Sequence, residues 1–253
     1  MADFESQTLQ GRAGAKSQSI PRDPGLRNFM LGIYQKMALG LVVTGAMAWA
    51  VANSPFLLKF LYRITPDGHV TGYTLLGYVF LFAPVGLSLL SNVFMRNMNV
   101  AMMALFYWIF VAVMGVSLSS IMLLYTGVSL ASTFFITAGT FGAVSLFGYT
   151  TKQDISGWRA FLIMGVVGIF IASLVNVFLL HSGALSLAVS AIGVLIFSGL
   201  IAVKTQDLKQ VYYQLEGSYT GRAAMTYYGA LSLYISFINL FLSILRFTGG
   251  SRR

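Results

Sequence analysis

The chain has 253 residues, of which 57% are hydrophobic and only 9% charged, against about 25% charged in an ordinary soluble domain. It carries no cysteine and only two histidines, which excludes a disulfide framework, a thiol nucleophile and a Cys-ligated metal. The +9 net charge does not point to nucleic acid, because the bases sit at the ends of apolar stretches and in the tails, as topology determinants do.

The first 28 residues hold no apolar core of signal-peptide length and open with Asp3 and Glu5. Residues 1–28 therefore read as a disordered, basic, cytoplasmic arm. Two long stretches then lack any formal charge: 55 residues from Asn97 to Thr151 and 44 from Ala160 to Val203. A helix crosses the hydrocarbon layer with about 20 apolar residues. Each stretch is thus a pair of spans, broken at Tyr125-Thr126-Gly127 and at His181-Ser182-Gly183.

Seven spans follow in chain order: Met37–Asn53 (beginning near Phe29 if Lys36 snorkels), Tyr73–Phe94, Val100–Leu124, Ser129–Tyr149, Ala160–Leu180, Ala184–Val203 and Met225–Phe247. Pro84 predicts a kink in the second. Gly139/Gly142 and Gly165/Gly168 read as close-approach points between helices. Ser232, Ser236, Asn239 and Ser243 make the last span polar, which favours a place inside the bundle. The predicted fold is an all-α membrane protein, with a domain over 29–247 and a short basic tail over 248–253. Eleven Lys and Arg fall on the N-terminal side of this topology and five on the other. The positive-inside rule then puts the N-terminus in the cytoplasm of a multi-pass bacterial inner-membrane protein.

The same residues argue against an enzyme. A retinal lysine in the final helix is missing, since no lysine follows Lys209. The seven acids all lie outside the predicted hydrocarbon segments, so no aspartyl pair meets at depth. No H-E-x-x-H helix or phosphate-binding glycine loop is present. His181 beside Ser182 reads as a solvated turn. No catalytic, cofactor or metal residues are assigned.

From Tyr125 onward the chain resembles the bacterial branch of the Bax-inhibitor family of membrane proteins. The runs that carry the likeness are Tyr125-Thr126-Gly127, Phe134-Phe135-Ile136-Thr137-Ala138, and Phe147-Gly148-Tyr149-Thr150-Thr151-Lys152 leading to Asp154-Ile155-Ser156-Gly157. They continue in Ile171-Ala172-Ser173-Leu174-Val175-Asn176, Ala230-Leu231-Ser232-Leu233-Tyr234 and Phe237-Ile238-Asn239-Leu240-Phe241-Leu242. The likeness extends over Leu26 to Arg246. It implies six helices wrapped around a central seventh and, as activity, a pH-sensitive calcium leak resting on two aspartates. One of these ends the sixth helix in a Tyr-Asp-Thr-Gln run; the other lies in a Leu-Tyr-Leu-Asp-Phe run of the seventh.

Laid onto this chain, the two runs read Val203-Lys204-Thr205-Gln206 and Leu233-Tyr234-Ile235-Ser236-Phe237. Both acids are missing. Paired carboxylates share a proton near neutral pH and offer oxygen ligands to calcium. Lys204 with Ser236 offers one cation and one hydroxyl. A fixed positive charge about 6 Å from a divalent cation opposes it by about 5 kcal/mol at an effective dielectric of about 20. The expectation is a channel-like protein whose calcium leak is lost or altered.

Three readings of Lys204 stay open: an interfacial anchor at a span end, a salt bridge to Asp207 one turn on, or a fixed cation in the ion path. Ser236 and Asn239 are candidate gate positions or packing contacts. Lys152, Asp154 and Arg159 read as a solvated turn and helix cap, with Asp154 the first acid to test for a proton or cation response. The resemblance also implies an alternative, an interaction protein that modulates a membrane-anchored ATP-dependent protease through the N-terminal arm. The expected partners are the lipid bilayer, calcium or another cation, and such a protease.

Overall fold

The computed structural model describes residues 23–65, 70–95 and 99–249. In chain order the helices are α1 Pro24–Asn53, α2 Pro55–Leu61, α3 Leu75–Met95, α4 Val100–Leu124, α5 Gly127–Thr150, α6 Trp158–Val175, α7 Gly183–Gln214 and α8 Tyr219–Thr248. Among the described residues, six helices are long and apolar enough to cross a membrane: α1, α4, α5, α6 continued to Leu180, α7 and α8. Helix α3 adds a shorter apolar stretch, Leu75–Ser91, and carries Pro84 in its interior.

Side-chain caps set most of the helix starts. Asp23 accepts from the amides of Gly25 and Leu26, with Pro24 in the first turn, where its missing N–H costs nothing. Asn99, Thr126, Ser182 and Ser218 cap α4, α5, α7 and α8 in the same manner. In a membrane the caps matter more than in water, because a bare helix end near hydrocarbon has no solvent to satisfy it.

Several boundaries differ from the sequence expectation. Helix α1 starts at Pro24, so residues 24–28 are helix rather than arm; the arm ahead of them lies outside the described residues, as does the tail from 250 on. The segment after α1 is not a plain loop. It holds α2 and an antiparallel hairpin, β1 Tyr62–Ile64 and β2 Val70–Tyr73, pairing Tyr62 with Tyr73 and Arg63 with Gly72. The fold is therefore helical with one small hairpin rather than purely α. Alternation is too short over three or four residues to announce a strand. Helix α6 ends in a π turn, Asn176–Leu180, closed by His181 in the left-handed region at φ 48°. The Asn176 side chain brackets Ser182 there, accepting its amide proton at 2.8 Å and donating to its carbonyl at 3.1 Å.

Most consequentially, α7 does not stop at Val203 but runs to Gln214. Lys204, Asp207 and Lys209 are thus on a continuous helix. The charged residues end the apolar run but not the hydrogen-bonded ladder, since Lys and Gln are good helix formers.

Helix α8 is the most deeply buried of the six long helices, and α6 the least. It packs against α7, α1, α4 and α5 and touches α3. Tyr234, Leu233, Leu240 and Ala230 of α8 are fully enclosed, with Tyr107 and Phe110 of α4 meeting Tyr234 edge-on. Large apolar side chains such as Phe135, Phe178 and Leu195 face outward, as lipid-contacting surfaces do. Of the four predicted glycine contacts one is present, at Gly165. A Cβ at Gly139, Gly142 or Gly168 would meet nothing, and one at Gly165 would meet only the Ile196 side chain. The backbone approaches are instead at Gly148, against Ala202 of α7, and at Gly115, against Thr44 of α1.

Candidate functional site

Helices α7 and α8 meet along their length, and the two candidate gate positions face each other across that seam. The Lys204 ammonium donates to Ser236 Oγ at 2.9 Å and to the Ser232 carbonyl at 3.1 Å. Ser236 Oγ donates in turn to the same Ser232 carbonyl at 3.2 Å. Ser236 is buried, and Lys204 is partly so. The ammonium is held on α8 by one hydroxyl and one backbone carbonyl.

This geometry gives the Lys204 ammonium its partners on α8. The side chain points into the bundle and not along the interface. It makes no salt bridge to Asp207, which pairs with Arg159 of α6. The i, i+3 spacing had placed the two on one helix face, but a partner from the neighbouring helix took the carboxylate. Asn239 donates from Nδ2 to the Ile235 carbonyl of its own helix at 2.8 Å, and Ser243 likewise to Asn239 at 2.8 Å. The polar residues of α8 are therefore satisfied largely along their own helix, as Ser often is in buried helices. Only Ser236, with the Ser232 carbonyl, reaches across to Lys204.

Further hydroxyl contacts join the helices on either side of this seam. Tyr34 of α1 bonds Ser145 of α5 at 2.6 Å, and Ser145 bonds Thr205 of α7 at 3.1 Å. Thr205 also donates to the Ile201 carbonyl at 2.8 Å. Toward α4, Thr44 of α1 donates to the Val111 carbonyl at 3.0 Å and bonds the Tyr234 hydroxyl at 2.6 Å. Tyr107 donates to the Lys36 carbonyl at 2.7 Å. Among the described residues no buried side-chain nitrogen or oxygen is left without a partner. The consecutive residues Lys204 and Thr205 thus tie α7 to α8 on one side and to α5 and α1 on the other. The sequence signal for these residues is faint: a hydroxyl in an uncharged span, whose partner only the fold supplies.

The α5–α6 loop is fastened to α7 by Gln206. Its Oε1 accepts from the Ile155 amide at 2.9 Å and its Nε2 donates to the Gln153 carbonyl at 2.7 Å. Lys209 donates to the Tyr149 carbonyl at 3.0 Å nearby. Replacing Gln206 by Leu leaves a loop amide and a carbonyl unpaired, at about 1–3 kcal/mol. The expected result is a lower thermal midpoint in detergent and faster hydrogen exchange at the Ile155 amide.

Lys152 and Asp154 are exposed on this loop. Asp154 does not cap α6, whose first turn has Gly157 at the cap and no side-chain bond. Its carboxylate instead accepts from the Ser156 amide at 2.9 Å. Hydrogen bonds from the Ser156 side chain and backbone hold its pKa below the ordinary range. Lowering the pKa keeps Asp154 ionised throughout pH 6–8; its charge is lost only as pH falls through the depressed value. Asp154→Asn is therefore expected to leave any transport response between pH 6 and 8 unchanged, as measured in vesicles. Among the described residues no group of three His, Asp or Glu side chains is placed to hold a metal.

A bundle of long apolar helices whose buried polar side chains, among the described residues, are all bonded defines a multi-pass membrane protein. The family profile described as "Inhibitor of apoptosis-promoting Bax1" matches residues 26–253. The chain is similar to an uncharacterized protein of Caulobacter vibrioides, 51% identical over 91% of each chain. It is 40% identical to the protein RP147 of Rickettsia prowazekii, over 91% of this chain and 92% of that one. It is also 40% identical to the inner membrane protein YbhL of Escherichia coli, over 94% of this chain and 98% of YbhL. The chain belongs to the Bax-inhibitor family.

Proposed function

We propose that this is a non-enzymatic, channel-like protein of the bacterial inner membrane in which calcium passage is lost or altered by a fixed ammonium. In this reading the chain crosses seven times, counting α3, with α8 at the centre and the N-terminus in the cytoplasm. The observation that carries the reading is the Lys204 contact with Ser236 at 2.9 Å. It brings together the two positions at which the family resemblance implies aspartates, and fills them with an ammonium, which cannot ligate a cation, and one neutral hydroxyl, in place of two carboxylates. The hydroxyl chain Tyr34–Ser145–Thr205 continues from the next residue of α7 toward α5 and α1 without adding charge. The inner-membrane placement follows the name of the Escherichia coli relative and the distribution of basic residues.

The test is purified protein in calcium-loaded vesicles, with efflux recorded between pH 6 and 8. A small flux that does not vary with pH is the expected result; a large, pH-dependent one overturns the reading. A second reading, an interaction protein acting on a membrane-anchored ATP-dependent protease, draws on the polar, basic segment ahead of Pro24. Crosslinking in native membranes separates it: recovery of the protease favours it, and unaltered substrate turnover on deletion of the gene removes it.

A further inference from the structure

Helices α1 and α5 do not close against each other at the end where α1 begins. They leave a groove of about 1050 Å³, at the upper end of the range for small-ligand sites, about 300–1,000 Å³. Its walls are mainly apolar, with Met30, Leu31 and Met37 from α1 and Phe141 and Leu146 from α5. Along α1 it runs from Asp23 to Ala38, fifteen residue steps or about 22 Å at about 1.5 Å each. One leaflet with its headgroups is about 20–22 Å deep, half of about 40–45 Å. The groove is therefore one leaflet deep.

Its two ends differ in charge. The inner end is apolar and closes on Ala38 and Phe141. At the mouth stand Arg27, exposed and in no ion pair among the described residues, and Tyr149, whose carbonyl holds the Lys209 ammonium at 3.0 Å. The one acid there, Asp23, has an oxygen committed to the α1 amides. A greasy slot one leaflet deep with an exposed arginine at its rim matches the amphiphile that surrounds it. We propose that this groove binds one acyl chain of an anionic phospholipid, with Arg27 at the rim facing its phosphate. The assignment concerns the leaflet at the start of α1 and does not rest on the channel reading.

Gly142 offers a clean probe. It lines the groove, and a Cβ added there meets no atom within 4 Å. Gly142→Phe would fill the slot without disturbing the packed seams. Gly139→Phe, on the same helix with equal room and outside the groove, is the control. The full chain is purified in mild detergent and titrated with phosphatidylglycerol or phosphatidylcholine of matched chains, and bound lipid is counted by native mass spectrometry. One phosphatidylglycerol is expected to be retained in preference. Arg27→Gln lowers that preference about fivefold, the effect of one interfacial cation at about 1 kcal/mol. Gly142→Phe removes the bound lipid at an unchanged thermal midpoint, and Gly139→Phe does not. Equal retention of the two lipids, or retention that survives Gly142→Phe, overturns the proposal. So does a benzophenone side chain placed at position 31, on the groove wall and exposed, that crosslinks to residues 1–22 of the chain instead of to lipid.

Discussion

On the channel reading, replacing Lys204 and Ser236 together by aspartate is expected to give a calcium-leaking, pH-responsive protein. The Lys204 side chain crosses the α7–α8 seam to put its ammonium 2.9 Å from Ser236 Oγ, so carboxylates at the two positions would line one polar point from opposite helices. Removing the ammonium lifts an opposing term of about 5 kcal/mol, on the order of a thousandfold in a rate that it limits. Close carboxylates then share a proton, one pKa rising toward neutrality, which places the response between pH 6 and 8. Lys204→Met separates the two effects. It removes the charge but adds no ligand, and Ser236 keeps its bond to the Ser232 carbonyl, so the fold tolerates the change. Its calcium efflux is expected to lie between those of the parent and the double variant, without a pH response. If the double variant leaks no more than the parent, the seam is not on the ion path.

The second large effect is on stability and has opposite signs at two glycines of one helix. A Cβ at Gly148 would stand 2.9 Å from the Ala202 Cα of α7, with the Ala202 carbonyl oxygen closer still. No rotamer relieves a collision with backbone, so Gly148→Ala forces α5 and α7 apart. That separation strains the Ser145–Thr205 and Gln206–loop bonds on the same face. The expected cost is about 3 kcal/mol, the upper end for overpacking. Gly139→Ala meets no atom within 4 Å and gains about 0.8 kcal/mol of helix propensity. Thermal unfolding in detergent should therefore fall for the first and rise slightly for the second. The same sign at both positions would show that the α5–α7 approach is not the tight seam described here.

The glycines also show where sequence reading reached its limit. Four glycines at i, i+3 spacing looked alike as contact points, yet a Cβ at three of them meets nothing. Gly148 and Gly115, which lie against backbone, had no spacing to distinguish them. A small residue permits a close approach but does not say whether another helix arrives. Lys204 repeats the lesson for charge. Its place at the end of an uncharged run suggested an interface anchor, and Asp207 three residues on suggested a partner. The helix instead continued to Gln214, Arg159 took the aspartate, and the ammonium turned toward α8.

What the chain determined by composition alone was its solvent. Uncharged runs of 55 and 44 residues belong in lipid, where every backbone group must be bonded internally, and continuous apolar runs without a barrel's alternation do so as helices. The caps at Asp23, Asn99, Thr126, Ser182 and Ser218 are equally local, because each bonds amides two or three residues away. Tertiary structure decided which polar side chains meet. Tyr34, Ser145 and Thr205 are separated by up to 171 positions (from 34 to 205), and a hydroxyl carries no mark of its partner until helix packing brings the two within bonding distance.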